Sequence, residues 1–94
     1  MNLRNQARNR PCQVRIPGIC DGGGETTVLA HFRENAGIGM KPDDLAYGAW
    51  ACWSCHEAVD RRRKLPGYTQ TDLELAHAKG VMRTVNQLRK EGKA

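Results

Sequence analysis

Along the C-terminal third, Leu75, Ala78, Met82, Val85 and Leu88 recur at spacings of three and four. That period predicts an amphipathic helix with this stripe turned to the core. Thr71-Asp-Leu-Glu74 reads as a capping box, with Thr71 capping the first turn and Glu74 reaching back. Lys90 and Gly92 suit the other end, so the helix covers 71–91, with Gly80 as a weak spot inside it. Upstream the period shortens to two. Cys12-Gln-Val-Arg-Ile16 alternates as a half-buried strand does, and Pro17-Gly18 then signals a turn. After the loop Asp21–Gly24, the β-branched and apolar run Thr26–Ala30 predicts a second strand, ending at His31.

Residues 34–44, "ENAGIGMKPDD", read as a loop, and Leu45–Ala51 as a third strand. Gly48 within it suggests a bulge or a close backbone approach. Ser54–Lys64 holds no Gly or Pro and fits a helix that Pro66-Gly67 ends. This order predicts a small α+β fold in one domain over 1–94. Its parts are a basic, mobile or loosely docked arm over 1–10, a core over 12–64 and the C-terminal helix.

Composition changes the picture by making that core weak. One Phe, two Trp and two Tyr stand against ten Gly in 94 residues. Domains of this size commonly need a disulfide or metal staple. Residues 1–20 hold no apolar run and no stretch is long enough to span a membrane, so the expected compartment is the cytoplasm. Thiols stay reduced there, and Cys12, Cys20, Cys52 and Cys55 read first as metal ligands. Cys52-x2-Cys55 has the spacing of two thiolates on one tetrahedral ion, and a hairpin over 12–20 would bring Cys12 to Cys20. The expectation is a closed, structural Zn2+ site. The alternatives are two disulfides, free thiols, or three cysteines with His56 as the fourth ligand.

The net charge of +5 is unevenly spread. Residues 1–20 carry Arg4, Arg8, Arg10 and Arg15 and no acid. Residues 21–60 carry two basic and seven acidic side chains, and residues 61–94 nine basic and three acidic. Basic flanks suit nucleic acid, and a divalent cation would neutralise the acidic middle. His56 and Asp60, four apart, share one helix side at metal-ligand spacing. Arg61, Arg62, Arg63 and Lys64 follow, placed to hold phosphates. Each feature also has a plainer reading: His31 as a structural histidine, His56–Asp60 as a surface pair, Arg61–Lys64 as a solvated face. His77 reads as surface.

The stretches "CQVRIPGIC", "TTVLAHFR", "KPDDLA" and "ACWSCHEAVDRR", with CxxCH after an upstream His, resemble the HNH nucleases of the His-Me finger, or ββα-metal, class. The similarity is closest to the short prophage-encoded proteins of the YbcO type, which are named as nucleases. The resemblance implies a zinc-stabilised ββα-metal domain with an added C-terminal helix. It implies that His31 is the general base for hydrolysis of a phosphodiester in nucleic acid, with DNA expected. His56 and Asp60 would hold a catalytic divalent metal, Mg2+ by likeness, and Arg33 joins Arg61–Lys64 as a phosphate contact. Three positions depart from the family pattern. Ala30 stands where an Asp or His ligand is common, Asp60 where a His is common, and the middle Asn is absent, with Asp43 and Asp44 nearest to it. Asp44 is then the candidate orienting or metal residue, and Glu34 a second loop acid. The alternative function is a zinc-stabilised nucleic-acid-binding module without catalysis. A protein-interaction adaptor docking through the last helix is a further one. Oligomeric state is not readable.

Overall fold

The computed structural model describes residues 3–32, 44–60 and 65–93, without the side chains of Asp44 and Ala46. The elements are α1 (Leu3–Gln6), β1 (Arg10–Pro11), β2 (Gly23–Gly24), β3 (Val28–His31), α2 (Asp44–Tyr47), β4 (Gly48–Ala51), α3 (Trp53–Val59) and α4 (Gln70–Lys90). They form a small α+β fold with two antiparallel two-stranded sheets, β1–β2 and β3–β4.

The second sheet organises the molecule. Leu29 pairs with Trp50, Ala30 with Ala49, and His31 with Gly48. Alternation sends Leu29 and Trp50 to one face, where Ala7, Leu88 and Leu3 join them. Ala30, Ala49 and Ala51 face the other way, into a second cluster with Val14, Ile16, Ala58 and the buried cysteines. Both faces are therefore covered, which explains why all of β4 is buried.

The expected strand over 12–16 is absent. Arg15 takes a left-handed φ of 55°, which no extended strand tolerates, and Cys20 N–H bonds Ile16 O at 2.9 Å to close a turn. The alternation of Cys12, Val14 and Ile16 serves burial without a ladder; only Gln13 N–H reaches the sheet, at Trp50 O. The third strand is also shorter than Leu45–Ala51. Pairing ends at His31–Gly48, so 44–47 coil into α2.

The last helix exists but its face is rotated. Its buried residues are His77, Gly80, Thr84 and Leu88, whereas Leu75 and Met82 stand 54% and 63% exposed. Close approach sets this phase. A Cβ on Gly80 would lie 2.9 Å from Val14 Cγ2 and 3.1 Å from Val14 Cα, so only glycine admits this contact without a shift. Thr84 Oγ1 accepts from Trp50 N–H at 3.0 Å and donates to Gly80 O at 2.8 Å, tying α4 to β4. The cap lies two residues earlier than the sequence pattern: Thr69 and Asp72 form the box. The expectation for Gly80→Ala is a net loss of roughly 1 kcal/mol, because overpacking of about 1–3 kcal/mol outweighs a helix-propensity gain of about 1 kcal/mol. The urea midpoint checks it, and a stabilised variant would contradict the close contact.

Of the arm expected to be mobile or loosely docked, residues 3–10 pack on the fold. Ala7 is fully buried, and the Arg10 guanidinium lies 4.6 Å over the Trp50 ring. It also makes a two-pronged pair with Glu91, with Nη2 to Oε1 at 2.7 Å. Arg10 holds the Glu91 carboxyl down at about 2, so this link between the chain's two ends stays charged at any moderate pH.

Candidate metal centre and histidine site

The four cysteines arrive from three places. Cys12 follows β1, Cys20 ends the turn after Pro17, and Cys52 and Cys55 flank the start of α3. Their sulfurs all lie within 4.8 Å of one another. Thiolates on a tetrahedral ion at about 2.3 Å stand about 3.8 Å apart, so a small inward movement closes the set on one metal. Cys52 caps α3 and accepts from Cys55 N–H at 3.3 Å, while Cys20 accepts from Gly22 N–H at 3.3 Å. Such N–H donors orient thiolates and favour their charged form.

The Cys12 thiol is pushed down to about 4, chiefly by the hydrogen bond from Cys55 and against the effect of burial. Cys55 is pushed up because its proton is held by Cys12 and because it is buried. All four are free thiols. A soft divalent ion would displace the remaining protons, and the four cysteines could hold one such as zinc. His56 is not part of this group, which leaves its ring for other contacts.

His31 and His77 lie at the other end of β3. His31 is the last residue of β3 and half-buried, and alternation places it on the Leu29 face. His56 lies in α3, which packs on the Ala30 face, and Asp60 caps its C-terminal end. His56 Nε2 and Asp60 Oδ2 are 3.1 Å apart. Cis ligands of an octahedral ion at about 2.1 Å are about 3 Å apart, so the pair fits two positions of one such ion. His56 Nδ1 is buried with no hydrogen-bond partner among the described residues. His31 does not join His56 and Asp60 in a three-ligand cluster among the described residues. The side chain of Asp44 and all of Arg33, Glu34, Asp43, Arg61, Arg62, Arg63 and Lys64 lie outside the described residues.

His77, read as surface from the sequence, is 95% buried and sits behind the strand end. Its Nε2 is 2.9 Å from Ala30 O and its ring meets Phe32 edge-on at 5.3 Å. It thus touches the residues on both sides of His31. A carbonyl only accepts, so Nε2 carries the proton. Burial lowers the His77 pKa and keeps the ring neutral, against the opposing effect of the hydrogen bond to Ala30 O. The signal for this residue was its spacing from Leu73, Gly80 and Thr84, which the larger Leu75 and Met82 obscured.

A compact α+β protein with four cysteines placed to bind a metal, and with histidines at an adjoining strand end, is the class this geometry defines. The chain belongs to the YbcO family: the family described as "Putative nuclease YbcO" matches residues 1–93. It is 54% identical over 63 residues to "Putative nuclease YbcO" of Escherichia coli K12 and to the same-named protein of Enterobacteria phage 82. Those alignments cover 65% of this chain and 65% of each relative. The fold is also similar to "Structure of a putative bacteriophage protein" from Escherichia coli K-12, with a TM-score of 0.79 and 40% identity. That superposition covers 97% of this chain and 100% of the other. Among the described residues, no helix is long and apolar enough to cross a membrane.

Proposed function

We propose that this protein is a metal-dependent endonuclease of the HNH type, hydrolysing phosphodiester bonds in DNA. The observation that carries the reading is the His56–Asp60 pair, with Nε2 and Oδ2 3.1 Å apart, on the helix that begins at the cysteine cluster. His31 ends β3, and the buried His77 touches the residues on both sides of it. The relatives' names, which call them nucleases, agree with it.

In this reading the scissile phosphate lies across the end of β3. His31, in its neutral form, takes a proton from the attacking water; imidazole is the side chain whose ordinary pKa suits that task near neutral pH. His56 Nε2 and Asp60 hold a divalent ion, Mg2+ in the cell. When bound, that ion supplies charge stabilisation for the phosphate and for the departing 3′ oxygen. His77 positions His31 by fixing the carbonyl of Ala30 and the ring of Phe32. The cysteine set holds Zn2+ and carries no chemistry, because four protein ligands leave no open position. Arg33 and Arg61–Lys64 remain proposed phosphate contacts, and Asp44 a proposed orienting or metal residue.

The test is Asp60→Ala assayed on supercoiled plasmid with Mg2+. The variant is expected to stay folded and zinc-loaded, and to need at least about tenfold more Mg2+ for half-maximal nicking. An unchanged Mg2+ dependence would remove Asp60 from the metal site. The non-catalytic alternative predicts plasmid binding without nicking at any Mg2+ or Mn2+ concentration.

A further inference from the structure

The docked arm builds a surface that the proposed catalytic residues do not account for. Between α1 and β3 lies an open cleft of about 610 Å3. Arg4, Asn5 and Arg8 line it from the arm, and Val28 and His31 from the strand, with Glu25 the one acid among the described residues there. The arm cannot swing away freely. Ala7 is buried against Leu29, Trp50 and Leu88, and Arg10 is clamped between Trp50 and Glu91. Arg4 and Arg8 are therefore fixed on the His31 face of the sheet.

The four arginines of residues 1–20 divide by task. Arg10 is tied to Glu91, and Arg15 bonds Cys12 O and Gln13 Oε1. Arg4 and Arg8 are the two that line the cleft, and both are exposed. A guanidinium offers a planar fork that matches phosphate oxygens, and two forks four residues apart suit successive phosphates of one strand. The cleft runs into His31 itself.

We propose that Arg4 and Arg8 form a phosphate track on the docked N-terminal arm that leads one nucleic-acid strand along β3 to His31. This rests on the endonuclease reading for the meaning of its end point. The contact is to the backbone and carries no sequence preference.

The experiment measures fluorescence anisotropy of a labelled DNA duplex titrated with non-cleaving His31→Ala protein, over a range of salt. Adding Arg4→Gln and Arg8→Gln should weaken binding about tenfold and reduce the slope of log affinity against log salt by about 1.8, close to 0.9 for each lost phosphate contact. A control with equal charge loss, Lys79→Gln with Lys90→Gln on the exposed side of α4, should change the slope by less than half as much. Circular dichroism checks that both double variants stay folded. Parent-like affinity and slope in the arginine variant, an equal effect in the lysine control, or no binding by the parent would each overturn the track. If wild-type protein nicks plasmid while the arginine variant binds like its parent, the track fails and the nuclease reading stands. If wild-type protein binds but never nicks, while the arginine variant loses affinity as stated, the nuclease reading fails and the track stands.

Discussion

His31→Ala is expected to lose plasmid nicking by about 10²–10⁴-fold while keeping its fold and its affinity for DNA. That range is what a positioned general base contributes. The fold should tolerate the change because His31 is a half-buried strand end opposite Gly48, with the pairing of Leu29 and Ala30 intact beside it. Retained binding is the discriminating part, since the proposed backbone contacts come from arginines and lysines elsewhere. Nicking at the wild-type rate by folded His31→Ala protein would remove the base from the mechanism. Joint loss of binding and nicking would instead make His31 a structural residue, as in the non-catalytic reading.

Cys55→Ser should unfold the domain or bring its melting transition below working temperatures. The physical reason is proportion. Structural zinc sites in small peptides contribute an apparent ~10–16 kcal/mol, and whole domains are stable by only about 5–15 kcal/mol. Here Cys52 and Cys55 are fully buried in the cluster that also holds Val14, Ile16 and Ala58. Losing the metal therefore removes the centre of the core as well as a crosslink. A chelator strong enough to strip zinc should have the same effect on the wild-type protein. A folded, cooperative Cys55→Ser variant at 37 °C would show that the cysteines are not the staple. Asp60→Ala is the control on the same helix, expected to melt near the wild type.

The cysteine cluster was more legible in the sequence than the packing. Cys52-x2-Cys55 needs only the start of a helix to converge, and the β-branched run before His31 stops where β3 stops. Both are short-range signals. The 12–20 segment brings its cysteines together as expected but does so through a turn with Arg15 in the left-handed region, which no alternation pattern reveals. The phase of α4 was misleading for a related reason. Its large apolar residues, Leu75 and Met82, point outward, while the face that meets the sheet uses Gly80, Thr84 and His77 to get close. Hydrophobic periodicity weights side-chain size and cannot register a helix that packs through small and hydrogen-bonding groups. The same blind spot hid His77, whose burial depends on Ala30 O, 47 residues away in sequence. Arg4 and Arg8 read as part of a mobile or loosely docked arm because Ala7, the residue that anchors them, carries no strong signal of its own.

The cysteine cluster and the proposed His56–Asp60 site would also divide the cation chemistry. Sulfur ligands at the helix start favour a soft ion, and the imidazole–carboxylate pair on the same helix accepts a harder one. One short helix, α3, would thus serve a structural metal with its first turn and a catalytic metal with its last. The most direct measurement is nicking of supercoiled plasmid by zinc-loaded wild-type protein as Mg2+ is raised from zero. The account predicts no nicking without Mg2+, then a saturable rise in relaxed circles with zinc content constant. Relaxed circles at full yield without added Mg2+, or none at any Mg2+ or Mn2+ concentration by protein that binds the plasmid, would contradict it.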